Sequence, residues 1–339
     1  MKKPLCVAVV GALGAVGQEM TRVLEHSSLD VGTFKPLDVV SNVGKTVVFR
    51  GKTWTVQESG AGKFTDVDIA LFSAGASASE VLAPLAVAEG AIVIDNSSQW
   101  RMTDGVPLVI PEVNPQALKT HKGLIANPNC STIQMLVALK PLHDRFKIRR
   151  VVVSTYQAVS GSGTPAIEEL KLQSAAFSNG QKPQVAVYPH QIAFNAIPHI
   201  DVFEENRYTK EEMKMVHETH KMLDPAIAVS PTAVRIPVFR GHSESLNIEF
   251  VNSYELEEVF AILSKAPGIE VVDDPQNARY PLALEAEGKD PVYVGRIRRD
   301  VSLENGLNLW VVSDNLRKGA ALNAVQIAQK LVEMDLLSR

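Results

Sequence analysis

A short apolar strand that runs straight into a glycine turn and then a helix constrains this chain more than any other feature. Residues 5–10 form a continuous apolar run, the pattern of a strand covered on both faces. Gly11-Ala12-Leu13-Gly14-Ala15-Val16-Gly17 follows, and Met20, Val23 and Leu24 then recur on one helical face. Glycines at such a turn let backbone N–H groups approach a pyrophosphate at the helix N-terminus, so the order reads as the opening of a dinucleotide-binding unit. The spacing is G-x-x-G-x-x-G rather than G-x-G-x-x-G, and a plain tight turn is the competing reading.

The second strand is expected over residues 36–40, ending at Ser41-Asn42. An NAD-binding unit usually carries an acid at that end, about 20 residues past the glycines, to hold the ribose 2′-hydroxyl. With Asp38 inside the run, the strand end offers Ser41, Asn42 and then Lys45, groups that tolerate or bind a 2′-phosphate. Further strands are expected at 67–72 and 91–94, around a helix over 77–89. The loops 73–75 and 95–101 then lie at the strand ends where open parallel sheets bind ligands. Beyond residue 130 strands expected at 151–158, 229–239, 246–251, 292–297 and 307–312 cluster with fewer helices, at 165–177 and 209–223. That pattern indicates a mixed or antiparallel sheet in a second domain. A last amphipathic helix, 319–336, is expected to pack on the first domain.

The chain's 339 residues are enough for two such domains. A net charge of -4 argues against a nucleic-acid surface. Two cysteines, Cys6 and Cys130, argue against a disulfide scaffold and favour a reducing cytosol. Neither a signal peptide nor an apolar run of the ~18 residues of a membrane span is expected.

Cys130 sits in Asn127-Pro128-Asn129-Cys130-Ser131-Thr132, between an apolar run and an apolar-periodic segment, where a strand hands over to a helix. At a helix N-terminus a thiol pKa falls from ~8.5 into the range ~3.5 to 7.5. The competing reading is a small buried hydrophobe, against which the polar neighbours argue. A nucleophilic cysteine beside a nicotinamide points to aldehyde oxidation through a thiohemiacetal and a thioester, or the reverse reduction, with an acid/base and cations to assist. Arg235 and His242 flank a strand end at Gly241 and suit those tasks. Glu211 and Lys214 share a helix face, with a solvated ion pair as the competing reading. Arg101 lies in a sheet-end loop.

The runs N-P-N-C-S-T (127–132), T-Y-Q-A-V-S-G-S-G (155–163), E-E-M-K (211–214), R-I-P-V-x-x-G-H (235–242) and L-W-V-V-S-D-N-L-R-K-G-A (309–320) resemble those of aspartate-semialdehyde dehydrogenases, in family order and over nearly the whole chain. The resemblance implies an α/β chain: an N-terminal Rossmann-type parallel-sheet domain, 1–129, completed by a C-terminal helix, 318–339, and an α+β catalytic and dimerisation domain with a mixed sheet, 130–317. It implies a cytoplasmic homodimer catalysing the reversible NADPH-dependent conversion of L-aspartyl 4-phosphate to aspartate 4-semialdehyde and phosphate, toward lysine, threonine, methionine and isoleucine. Carried over by position, Cys130 is the nucleophile and His242 the acid/base. Gln157 orients the substrate, Arg235 holds its carboxylate and Glu211 meets its amino group. Arg101 and Lys214 bind phosphate, with help from Asn129. Leu13, Gly14, Ala15, Val16, Ser41, Asn42, Ser160, Gly161 and Asn315 contact the cofactor, and no metal is implied.

Two departures stand out. Leu13 replaces the family's usual Thr, and the segment 41–45 is shorter than the common form and lacks its basic residue. NADP is therefore expected, with a weakened preference over NAD. The rival readings are another acyl-phosphate reductase, such as N-acetylglutamyl-phosphate reductase or the glyceraldehyde-3-phosphate type, and a silent nucleotide-binding paralogue. The N-C-S-T run after N-P argues against the first, and the presence of Cys130, Gln157 and His242 against the second.

Overall fold

The computed structural model describes residues 3–337; residues 1, 2, 338 and 339, at the outer limits of the sequence-drawn first domain, lie outside the described residues. The chain forms two compact units, residues 1–129 with 320–339, and residues 130–319.

The first unit contains β1 (Leu5–Val10), α1 (Ala15–Glu25), β2 (Val31–Asp38), the hairpin β3 (Thr46–Phe49) and β4 (Lys52–Thr55), and β5 (Gln57–Glu58). β6 (Ile69–Phe72), α2 (Ala76–Ala88), β7 (Ile92–Asp95) and β8 (Leu124–Ala126) complete its first segment. Six strands pair in parallel in the order β5-β2-β1-β6-β7-β8. Alternate residues of β1 serve opposite faces. Val7 and Val9 pack with Met20, Val23 and Leu24 of α1 and with the C-terminal helix. Cys6, Ala8 and Val10 pack with Phe64, Phe72, Ala83 and Ala86 on the other side. Two glycines permit the turn between β1 and α1. Gly11 has φ +79, and a Cβ there would lie 2.6 Å from the Ser73 carbonyl oxygen; a Cβ on Gly17 would lie 2.0 Å from the Gly11 carbonyl oxygen.

The expected second strand is corrected at both ends. β2 spans Val31–Asp38, and Val40–Asn42 is a 3-10 turn. Val39 and Val40 are 56% and 69% exposed, so their apolar character does not extend the strand.

The second unit contains α3 (Cys130–Phe146), β9 (Ile148–Gln157), α4 (Thr164–Ser178), α5 (Lys210–Met222), β10 (Ala228–Arg235), β11 (His242–Phe250) and α6 (Leu256–Leu263). It ends with β12 (Ile269–Val271), α7 (Ala283–Ala286), β13 (Val292–Arg299) and β14 (Gly306–Ser313). Its sheet runs β10-β9-β11-β14-β13-β12, with parallel pairs at β10–β9 and β13–β12 and antiparallel pairs between. Val151, Val153, Leu246, Ile248, Leu307, Leu309 and Val311 are buried, while Val152, Ser154 and Tyr156 on the other face of β9 are half-buried. The expected 229–239 strand stops at Arg235, and the expected 246–251 strand begins four residues earlier, at His242.

The C-terminal helix α8 (Leu322–Glu333) belongs to the first unit; it starts later than expected, after a π-helical turn over Arg317–Ala321. No described helix is long and apolar enough to cross a membrane.

Candidate active site

In the first unit the glycine turn presents Leu13, Gly14, Ala15 and Val16 accessibly at the start of α1. Gly14 is the N-cap and brings no side chain to the free N–H groups of the first turn, which stay available to an anion. The close Gly11–Gly17 approach and these open amides fit a dinucleotide pyrophosphate. Asp38 ends β2 beside the turn and is 6% exposed. Its Oδ2 accepts from the Leu13 N–H at 2.9 Å; its Oδ1 accepts from Val39 N–H at 2.8 Å and Asn42 Nδ2 at 2.9 Å. Asn42 Oδ1 accepts from Lys45 Nζ at 2.6 Å, and Ser41 is exposed.

Arg101 is buried in the loop after β7. Its Nε donates to the Asn127 carbonyl and its Nη2 to the Asn96 carbonyl, both at 3.0 Å, which fixes the guanidinium. Asn127 is itself fixed: its amide donates to Asn96 Oδ1 at 2.7 Å, and its Oδ1 accepts from Asn323 at 2.7 Å. Asn129, also buried, is the last residue before α3.

In the second unit Cys130 is the first residue of α3 and is half-buried. One helical turn on, Gln134 accepts at Oε1 from Ser313 Oγ at 2.8 Å, and Ser313 is paired with His242 across β14 and β11. That tie brings the cysteine end of α3 to the end of β11 that starts with His242. Gly319 packs there too, where a Cβ would lie 2.8 Å from the Cys130 Cβ.

The end of β9 gathers the rest. The Ala158 N–H donates to His242 Nδ1 at 3.0 Å, and the Ala158 carbonyl accepts from Arg235 Nη1 at 2.6 Å. One residue thus positions both side chains, although they sit on strands β10 and β11 either side of β9. His242 is fully buried; burial first, then the Arg235 charge, push its pKa down to about 3, against an opposing effect of Glu211. The ring is neutral at neutral pH. Because Nδ1 accepts a hydrogen bond, the proton is assigned to Nε2. That Nε2 and Arg235 Nε are buried without a hydrogen-bond partner among the described residues. Gly161 borders both: a Cβ there would lie 3.0 Å from Arg235 Nη1 and 3.4 Å from His242 Nε2.

Gln157 Nε2 donates to Glu211 Oε1 at 3.1 Å. Lys214 Nζ lies 3.1 Å from Glu211 Oε2 and 2.8 Å from Asp201 Oδ2, so Asp201 joins the pair expected on α5. Ser160 and Asn315 bond to each other at 3.0 Å, and Asn315 Oδ1 accepts from the Gly241 N–H at 2.9 Å. The second unit therefore brings together Gln157, Ser160, Gly161, Glu211, Lys214, Arg235, His242 and Asn315, with Cys130 tied in through α3.

Two family models match the chain: a semialdehyde dehydrogenase NAD-binding domain over residues 6–121 and a semialdehyde dehydrogenase dimerisation domain over residues 139–318. The aspartate-semialdehyde dehydrogenase of Aquifex aeolicus is 54% identical over 98% of this chain and 99% of its own length. The chain belongs to the aspartate-semialdehyde dehydrogenase family. The Bacillus subtilis aspartate-semialdehyde dehydrogenase is 49% identical over 99% of this chain and 100% of its own. A crystal structure of Vibrio cholerae aspartate semialdehyde dehydrogenase II, complexed with ASA, superposes with a TM-score of 0.95 at 48% identity, covering 98% of this chain and 99% of that one. As an aspartate-semialdehyde dehydrogenase family member the chain is an oxidoreductase with a nicotinamide-dinucleotide domain and a dimerisation domain.

Three contributors escaped the sequence reading: the Ala158 peptide, Asp201 and Asp38. The first acts through backbone atoms and leaves no residue-type signal. Asp201 lies 13 residues before its lysine, outside any helical spacing. Asp38 was visible, but the strand end was placed too late.

Proposed function

We propose that Cys130 is the nucleophile of a phosphorylating aldehyde dehydrogenase that interconverts L-aspartyl 4-phosphate and aspartate 4-semialdehyde. The observation that carries this reading is the Ala158 junction, which aims a neutral His242 and a charged Arg235, each with a donor unused among the described residues. In the reductive direction the Cys130 thiolate attacks the acyl carbon; a C–S bond forms, the bond to the phosphate oxygen breaks, and phosphate leaves. When bound, the dinucleotide would supply a hydride to the thioester carbon, which leaves a thiohemiacetal alkoxide. Collapse of that alkoxide re-forms the C=O bond, breaks the C–S bond and returns the thiolate with the free aldehyde.

His242 Nε2–H donates to the acyl oxygen as negative charge develops on it, an interaction strengthened in a dry site. We read His242 as a donor rather than the acid/base expected from sequence, a reading supported by the Ala158 N–H that Nδ1 accepts. Arg235 offers its remaining N–H groups to the substrate carboxylate, for which a planar fork is suited. Glu211, already accepting from Gln157 and Lys214, presents a carboxylate to the amino group, while Gln157 orients the chain of the substrate. Arg101 and Lys214 are assigned to phosphate. For Lys214 this requires a change of partner from Asp201, which makes Arg101 the better-prepared of the two. Leu13 to Val16, with Ser160, Gly161 and Asn315, are assigned to the cofactor.

The expectation of NADP rests on an acid-free end of the second strand, and Asp38 occupies that end. A homodimer is supported by the half-buried sheet face that carries Ser154, Tyr156 and Trp310. The test of the reaction is an assay of the purified protein with aspartate 4-semialdehyde, phosphate and either dinucleotide, against N-acetylglutamate semialdehyde under the same conditions. Turnover of the first with little of the second is expected; the reverse order would assign the site to the other acyl-phosphate reductases.

A further inference from the structure

We infer that Asp38 makes NAD, rather than NADP, the preferred dinucleotide of this enzyme. The inference rests on the dinucleotide reading of the glycine turn given above and adds the identity of the residue that reads the ribose. In a doubly wound sheet the acid at the end of the second strand accepts a hydrogen bond from the ribose 2′-hydroxyl. Asp38 is the last residue of β2, directly beside β1 and its turn.

Its carboxylate is fixed by N–H groups of Leu13, Val39 and Asn42, and the Leu13 amide belongs to the turn itself. These three bonds use three of about four acceptor directions of a carboxylate, and the one left is on Oδ2, the oxygen that faces the turn. A hydroxyl can donate to that lone pair. A 2′-phosphate cannot, and it would bring roughly two negative charges against a held carboxylate. The neighbourhood does not offset this. Glu58 pairs with Asp38 in the β2–β5 ladder, adding a second acid. Lys45 is the nearby cation, and it is an exposed side chain engaged by Asn42. One flexible surface lysine is a weak counterweight to a buried carboxylate.

Fluorescence titration of the purified enzyme with NADH and with NADPH, without substrate, tests the inference. The Kd for NADPH is expected to exceed that for NADH by roughly tenfold or more, equivalent to ~1.4 kcal/mol. Asp38→Asn removes the charge but keeps an oxygen to accept from the Leu13 N–H, and it should narrow the ratio chiefly by tightening NADPH. NADPH binding as tight as NADH in the wild type would overturn the inference, as would an unchanged ratio in Asp38→Asn. If NADPH is preferred while aspartate 4-semialdehyde is turned over, this inference alone fails; if neither dinucleotide binds, the reading of the glycine turn fails with it.

Discussion

Taking the protein from about pH 8 to about pH 5 should cost the wild type about 2 kcal/mol per chain more than it costs His242→Asn. The imidazole is fully buried beside Arg235, and its pKa stands at about 3 in the folded chain. In the unfolded chain it returns to ~6.5. Between those values the unfolded state binds a proton that the folded state refuses, so stability is present above the unfolded pKa and is lost as pH falls. The loss is ~1.4 kcal/mol per pH unit below ~6.5, which gives about 2 kcal/mol at about pH 5 and about 5 over the whole window. Asn is the useful replacement because its Oδ1 can take over the Ala158 N–H from Nδ1, leaving the junction bonded. Urea unfolding at the two pH values, at one protein concentration, measures the double difference. Other titrating groups, Glu244 among them, are common to both proteins and cancel. Equal losses in the two would show that His242 takes up a proton in the folded state and would refute the neutral-donor role proposed for it.

Arg235→Lys keeps the charge but replaces a fork that already holds the Ala158 carbonyl, and kcat/KM should fall by about 10- to 1,000-fold, from a charged hydrogen bond of ~1.5 to 3 kcal/mol plus misplacement of the reacting carbon; an unchanged value removes Arg235 from the substrate site. Glu244 is fully buried with both carboxyl oxygens unbonded among the described residues, and burial pushes its pKa well up against a lowering effect of Gln134. A raised folded pKa means stability lost as pH rises above ~4.5, so Glu244→Gln should melt higher than wild type at about pH 8, with the gain gone at about pH 4. The same gain at both values would show that Glu244 ionises in the fold. Arg101→Gln should raise the KM for phosphate more than that for the dinucleotide, since the guanidinium is anchored by two carbonyls beside the residues that lead into Cys130; the opposite order places Arg101 on the cofactor.

Much of this was legible in the chain because it is written locally. The β1–turn–α1 opening follows from an apolar run, glycines that tolerate close approach, and a helical stripe, all within about 20 residues. Cys130 was likewise readable as the start of a helix. What failed was a boundary. Pro36-Leu37-Asp38-Val39-Val40 looks like one apolar strand, yet the Asp38 carboxylate captures the Val39 N–H and the Asn42 amide, turns the chain, and leaves both valines exposed. Two residues of error reversed the inference about cofactor charge. The Arg235–Ala158–His242 junction was beyond local reading for another reason. Arg235 and His242 are seven apart in sequence, but they meet through Ala158, brought from 77 and 84 residues away by sheet pairing on both sides of β9. Nor does polar His242-Ser243-Glu244-Ser245 announce a buried strand, although β11 runs through it.

The central claim is that the acyl group passes through Cys130. Mixing the enzyme with L-aspartyl 4-phosphate in the absence of dinucleotide should trap the first half of the reaction, because phosphate can leave but the thioester has no reductant. Intact-mass measurement followed by peptide mapping should then find an aspartyl adduct on Cys130, sensitive to hydroxylamine and discharged as aldehyde when the reduced dinucleotide is added. An adduct on Cys6, an adduct that survives in Cys130→Ala, or turnover with no covalent species at all would contradict the account.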